Sequence, residues 1–244
     1  MDPSSLQAWY YNVPVITKFF FMGTLLSGAL LAQRIVSPAD VVLDWSQVRD
    51  NHQYWRLLTS FFYGGPAFFS IGFAIHLFMV YENCRRYEET PFDTGGGGTS
   101  ADFLWMLAIT LAPLLILSYF FHMHVLSEVH TCIIPGVYTS VLVFLLMYTW
   151  SRRTPQTVVN IGPFPVKALY VPFINLGIRL LLGGTLTEPL LGMGVGHLFY
   201  FLAQVLPQHG IRLVRTPLIC DEVVAYATGR SAPRRGVYRA AGRA

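Results

Sequence analysis

DFLWMLAITLAPLLILSYFF, residues 102–121, is twenty residues long and carries its only charge, Asp102, at the first position. As a helix it reaches about 30 Å, the thickness of a bilayer's hydrocarbon core. Five further apolar stretches, 13–33, 67–81, 131–150, 168–182 and 189–206, complete a set of six. Those at 67–81 and 168–182 have 15 residues each, about 22 Å as helices. The sequence therefore predicts an all-α membrane protein with six transmembrane helices. The even number puts both termini on one side.

Charge placement orients the set. Segments 82–101, 151–167 and the tail from 207 hold twelve Lys/Arg, among them Arg85, Arg86, Arg152 and Arg153, while the opposite side holds only Arg34, Arg49 and Arg56. The positive-inside rule then predicts cytosolic N- and C-termini. At 53 % hydrophobic and 12 % charged, the composition excludes an ordinary soluble domain. The net charge of +4 is concentrated in the tail, which points to topology or anionic lipid and not to nucleic acid. Cys84, Cys132 and Cys220 lie far apart and give no disulfide framework. The first apolar run is long enough to act as an uncleaved anchor, and the final Ala-Gly-Arg-Ala is no retrieval signal. No cofactor is implied.

Three regions follow. Residues 1–12 predict an interfacial helix with Leu6, Trp9 and Tyr10 on one face. Residues 13–206 form the six-span domain. Residues 207–244 form a tail in which Pro217 opens a short helix through Ala227, with Gly229 past its end. Lys18, near the start of span one, is expected to snorkel. The 34–66 loop, with Trp45, Tyr54, Trp55, Phe61, Phe62 and Tyr63, is expected to lie partly in the membrane surface. Gly95 to Gly98 reads as a flexible linker. Residues 151–166 read as a Pro/Gly-rich loop.

Few residues offer chemistry. Trp55-Arg56 puts an arginine at membrane level, either an interfacial anchor or a functional group needing a partner. In span six, Gly192 and Gly196 form a GxxxG pair that lets another helix approach closely. His197 beside them is a buried hydrogen-bonding group or a functional one. Asn175 and Arg179 lie four apart and share a face of span five, where snorkelling is the simpler account of Arg179. His122, His124, Glu128 and His130 cluster in one turn but fit no standard metal spacing. For an intramembrane serine protease, His197 would be the base and Ser140 the nucleophile. Ser140 lacks a Gly-x-Ser-Gly setting.

These pieces, in this order, resemble the derlins, a rhomboid-like pseudoprotease family. Val13-Pro14-Val15-Ile16-Thr17-Lys18 is similar to the family's start of span one, and Arg34-Ile35-Val36-Ser37-Pro38 to the beginning of its first luminal loop. Tyr54-Trp55-Arg56-Leu57-Leu58-Thr59-Ser60-Phe61-Phe62 carries its Trp-Arg pair. Ala168-Leu169-Tyr170-Val171-Pro172-Phe173 with Gly177 resembles span five, and Gly192 through Leu202 resembles the GxxxG-His span. The resemblance implies an endoplasmic reticulum protein without peptidase activity. It implies that misfolded substrates are moved from lumen or membrane towards cytosolic ubiquitination and degradation, in company with a ubiquitin-ligase complex and its scaffold subunits. It also implies a thinned bilayer and a lateral gate between spans two and five, the two short stretches found here. The polar candidates at that gate are His76, Asn175 and Arg179. The tail has Pro233-Arg234-Arg235-Gly236 but not the aromatic-Gly-x-Gly-x-Arg-Leu type of motif that recruits the cytosolic AAA ATPase. An indirect link to that ATPase follows, as in the shorter-tailed derlins. The rivals are an active intramembrane serine protease and a small transporter, the latter without a visible inverted repeat.

Overall fold

The computed structural model describes residues 3–65, 68–124, 136–161 and 163–229. It is mostly helical. After a short helix α1 (Pro3–Asn12), α2 (Val15–Ala32) begins behind Pro14, whose fixed ring suits a helix start but offers no capping side chain. The missing cap comes from another helix. Glu88 accepts the Ile16 and Thr17 backbone N–H groups at 3.0 and 2.7 Å and the Thr17 hydroxyl at 2.8 Å. Its carboxylate thus meets the positive end of α2.

The loop after α2 folds into three short helices, α3 (Pro38–Val41), α4 (Trp45–Asp50) and α5 (Arg56–Thr59). Its aromatic residues divide. Phe61 and Phe62 enter the core, and Trp45 packs on it while its Nε1–H donates to the Ser118 hydroxyl at 2.9 Å. Tyr54 and Trp55 remain exposed.

α6 (Ile71–Glu89) runs 19 residues, longer than the 15-residue apolar stretch predicts. The polar continuation stays helical because Glu82 pairs with Arg85 and Arg86 and Arg85 with Glu89, at helical i,i+3 and i,i+4 spacings. The four glycines that follow are not a flexible linker. Asp102, in the first turn of α7 (Ser100–His124), is 1 % exposed. It accepts the backbone N–H groups of Gly96 at 2.9 Å and Gly98 at 2.8 Å and the Thr94 hydroxyl at 2.9 Å. Gly95, Gly97 and Gly98 take positive φ, and a Cβ on Gly96 would meet an Asp102 oxygen at 2.6 Å. The run is glycine because the chain must coil tightly around a buried carboxylate. Thr216 of the tail joins the same carboxylate, and its N–H donates to the Thr94 carbonyl at 2.9 Å.

α8 (Thr139–Arg153) is the hub, buried from Val141 to Ser151. Beyond it the expected loop is an antiparallel hairpin, β1 (Val158–Ile161) with β2 (Phe164–Lys167), in which Ile161 faces Phe164. A 3-10 turn, Ala168–Tyr170, leads into α9 (Val171–Leu181). α10 (Thr187–Tyr200) widens into a π-helical segment, Phe201–Val205, before α11 (Leu206–Gln208). Pro207 explains the widening: it has no N–H to return and its ring crowds the preceding turn. α12 (Leu218–Thr228) starts after Pro217 and stops at Gly229, whose φ of 65° is left-handed, as the sequence predicts.

Helix ends sort onto two sides. The end of α6, the start of α7, the end of α8 and the Thr216 segment share one, where Arg86 lies over Trp150 and Arg153 over Phe92. The α3–α5 loop and the start of α8 share the other, joined by Leu43 N–H to the Gly136 carbonyl at 2.8 Å and Tyr138 N–H to the Ser60 carbonyl at 2.9 Å. Among the described residues, three helical runs are long and apolar enough to cross a membrane: Val15–Ala32, Ser100–Phe120 and Thr187–Gln208. α6 carries too many charges beyond Tyr81, and α8 and α9, at 15 and 11 residues, are too short.

Candidate functional site

The predicted residues fall into three places, and the crossing of α8 with α10 is the tightest. A Cβ on Gly192 would lie 2.4 Å from the Val141 carbonyl oxygen, and one on Gly196 3.1 Å from that of Leu145. Contact at both positions is backbone to backbone, which is what the GxxxG spacing permits. Because Gly192 meets the earlier part of α8 and Gly196 the later part, the two helices run parallel.

His197 follows directly. Its Nδ1 lies 2.8 Å from the Tyr148 hydroxyl, and Arg152 Nε donates to the same oxygen at 3.0 Å. The Tyr148 oxygen thus joins Arg152 of α8 to His197 of α10. His197 is itself exposed.

Ser140 has a different partner. It sits in the first turn of α8, eight positions before Tyr148, or about 12 Å along the helix. Its hydroxyl accepts from Arg179 Nη1 at 3.1 Å. Ser140 and His197 therefore form no nucleophile–base pair, which requires hydrogen-bonding reach.

The second place is the end of α9. Arg179 does not snorkel. It pairs with Glu188 in the first turn of α10 and donates from Nε to the Thr185 carbonyl at 2.8 Å. Thr185 in turn donates its hydroxyl to Glu188 at 3.1 Å. The Gly183–Gly184 turn makes room, since a Cβ on Gly184 would meet the Arg179 side chain at 2.7 Å. Asn175 does not join this group: its Nδ2 donates to the Val171 carbonyl at 2.9 Å, one turn back in its own helix. His76 of α6 lies beside Gly64, with its Nε2 buried and without a hydrogen-bond partner among the described residues.

α9 is lightly held. Val171 and Pro172 are its buried residues, and Leu176 packs on Phe144, Tyr148 and Met193. Leu181 and Leu182 are 87 % and 82 % exposed. On α6, Ile71, Ile75 and Phe78 are exposed as well. α9 packs against α8 and has no extensive contact with α6. Both helices thus leave apolar side chains exposed.

Arg56 occupies the third place. Its side chain is buried, with Nη1 donating to the Ala39 carbonyl and to that of Val42 at 2.9 Å, and Nε to Gln53 at 2.6 Å. It ties α3 to α5. Hydrogen bonds from the Ser37 hydroxyl and N–H hold the nearby Asp40 carboxyl below its usual range, and the Arg56 charge adds to this. Trp55, next to Arg56, stays exposed. The Trp-Arg pair and the GxxxG-His motif share no partner. The His122/His124/Glu128/His130 cluster has Glu128 and His130 outside the described residues, and among the described residues no group of three metal-ligating side chains occurs.

Glu88 and Asp102 are the polar anchors that the sequence did not reveal. Glu88 sits in a segment that reads as a charged loop, and Asp102 is the lone charge at the head of an apolar span. Only the lack of a capping side chain before α2 and the glycine run before α7 hint at them.

Residues 13–218 match the model of the Der1-like family. The chain is 33 % identical to Derlin-1.2 of Zea mays, over 91 % of this chain and 86 % of the relative. It is 34 % identical to Derlin-1 of Arabidopsis thaliana, covering 91 % and 78 %. A probable derlin-2 homolog of Dictyostelium discoideum is 31 % identical, over 86 % and 79 %. Together with the three long apolar helices, this likeness marks a membrane protein.

Proposed function

Since the chain belongs to the Der1-like family, we propose that it is a non-catalytic component of ER-associated degradation. It resides in the endoplasmic reticulum membrane and helps misfolded proteins of the lumen or membrane reach the cytosol. In this reading α2, α6, α7, α8, α9 and the α10–α11 run are six spans, with the arginine-rich side and both termini cytosolic. A ubiquitin-ligase complex with its scaffold subunits receives the substrate, and the AAA ATPase is engaged indirectly.

The observation that carries the proposal is that α6 and lightly held α9 both expose apolar side chains and have no extensive contact with each other; we read the space between them as an open flank. A chain entering sideways would pass there, with His76 and Arg179 as the polar groups at hand. The rigid α8–α10 crossing supplies the fixed wall. Short α9 reaches about 16 Å as a helix, against a core of about 30 Å, so the bilayer thins beside it. The separation of Ser140 from His197 favours translocation over proteolysis.

The test combines cross-linking with degradation. Single cysteines replacing Ile75 and Leu180, on the two sides of the flank, should capture a misfolded luminal reporter in microsomes. A cysteine replacing Ile116 of α7, exposed elsewhere, should not. Reporter degradation should persist in Ser140→Ala. Equal capture at all three positions, or a serine-directed probe that labels the protein and is lost in Ser140→Ala, would overturn the proposal.

A further inference from the structure

A second apolar feature lies away from the α6–α9 flank. Between α2 and the α3–α5 loop runs a groove of about 960 Å³. That is the upper end of small-molecule pockets, about 300–1,000 Å³. Phe19, Met22 and Leu26 of α2 line one wall, and Leu58 and Phe62 line the other. Phe19, Leu26 and Leu58 are each at least half exposed. Lys18 and Tyr10 stand at one end, and Ile35 and Trp55 at the other.

Three observations select the occupant. The first is length. Lys18 to Leu30 is twelve positions along α2, about 18 Å. Half of a 30 Å core is about 15 Å, so an acyl chain anchored at Lys18 would run along most of this wall. The second is shape. Gly23 and Ser27 are four apart and would suit a helix–helix contact. However, the Phe62 ring stands over Gly23, where a Cβ would meet it at 2.8 Å. A partner backbone is kept off, while a thin flexible chain is not.

The third is charge. The Lys18 ammonium lies 4.2 Å from the centre of the Tyr10 ring. No carboxylate forms an ion pair with it among the described residues. Glu88, the acid bonded to the preceding residue, is occupied by the N–H groups of Ile16 and Thr17. A transmembrane partner of the same orientation would bring its own Lys/Arg to this level, and like charges would meet. A phosphate would find an available ammonium.

We infer that the groove seats one glycerophospholipid of the surrounding bilayer, its phosphate on Lys18 and one acyl chain along α2 against Leu58 and Phe62. The inference rests on α2 spanning the membrane and is independent of substrate passage at the α6–α9 flank.

The test uses the full chain in nanodiscs of phosphatidylcholine containing a trace carrying a diazirine in mid-chain. After irradiation, labelled residues are mapped by mass spectrometry. Labelling should concentrate on Phe19 to Leu30 and on Leu58, well above that on exposed Leu181 and Leu182 of α9, which report ordinary boundary lipid. Lys18→Gln should lower α2 labelling about tenfold, as loss of one charge-assisted contact implies, and Lys18→Arg should keep it. Leu26→Trp should lower it by filling the trough. Equal labelling of α2 and α9, or no response to Lys18→Gln and Leu26→Trp, would overturn the inference. Absence of label from both helices would overturn it through its premise, the membrane placement of α2, whereas a failure confined to α2 would leave the proposed function standing.

Discussion

Glu88 joins two helices through a single carboxylate. It accepts three hydrogen bonds at the start of α2 and is 5 % exposed. Truncation strands buried donors, each costing about 1–3 kcal/mol. Glu88→Ala should therefore destabilise the protein by about 3 kcal/mol or more, by the sum of those losses. Glu88→Gln should do so by less, because the amide oxygen still accepts. Thermal unfolding in mild detergent measures both, and equal, small losses would show that α2 is held in some other way. From sequence alone Glu88 is one of several acids in a charged run, and its role depends on a helix 71 residues away. Arg56 was legible as an arginine requiring partners, but besides Gln53 those partners are backbone carbonyls, which carry no sequence signature.

Among elements, the α8–α10 crossing and the α9 clamp make opposite demands. At the crossing, Gly192 is the tighter position because a Cβ there would lie 2.4 Å from the facing carbonyl oxygen, against 3.1 Å at Gly196. Gly192→Ala should cost about 1–3 kcal/mol, as overpacking does, with Gly196→Ala milder. Gly194→Ala should cost nothing by this mechanism, since nothing lies within 4 Å of its Cβ position. Thermal melts of the three variants give the ranking, and an unaffected Gly192→Ala would mean that the helices can slide apart freely. At the clamp, Glu188→Gln removes the charge facing Arg179. α9 then keeps its apolar contacts and the Arg179 hydrogen bonds to Ser140 and Thr185 but loses the ion pair, and a cysteine replacing Leu176 should be alkylated several-fold faster than in the parent. No change in rate would show that the ion pair does not hold α9. The spacing of Gly192 and Gly196 announced a close helix approach, though not which helix approaches. The hairpin escaped because prolines and a glycine within 151–166 read as loop, yet Gly-Pro between β-branched runs is itself a turn signal. The helical extent of α6 escaped because apolar length ends at Tyr81 while Glu–Arg pairing continues the helix to Glu89.

At the scale of the molecule, three long apolar helical runs stand with three that are shorter or more charged. Mismatch costs fractions of a kcal/mol per Å, so lipid is expected to thin beside α9 and to keep its normal thickness beside α7. Lipid density around the protein in nanodiscs checks this, and a uniform thickness all round would refute it. Six apolar stretches, their helical state and the family were legible in the sequence because hydropathy and motif order are local. Helix ends, caps and the partners of polar groups arise from tertiary contact and were not. The Asp102 knot, finally, has a mechanical consequence. Thr216 is bonded to Asp102 and Thr94 ahead of α12, so tension that overcomes the packing of α12 on α7 is borne next by the opening turn of α7. Like the clamp that takes the load off a cable's terminals, the knot spares the α8–α10 crossing from any pull on the tail until it has itself given way.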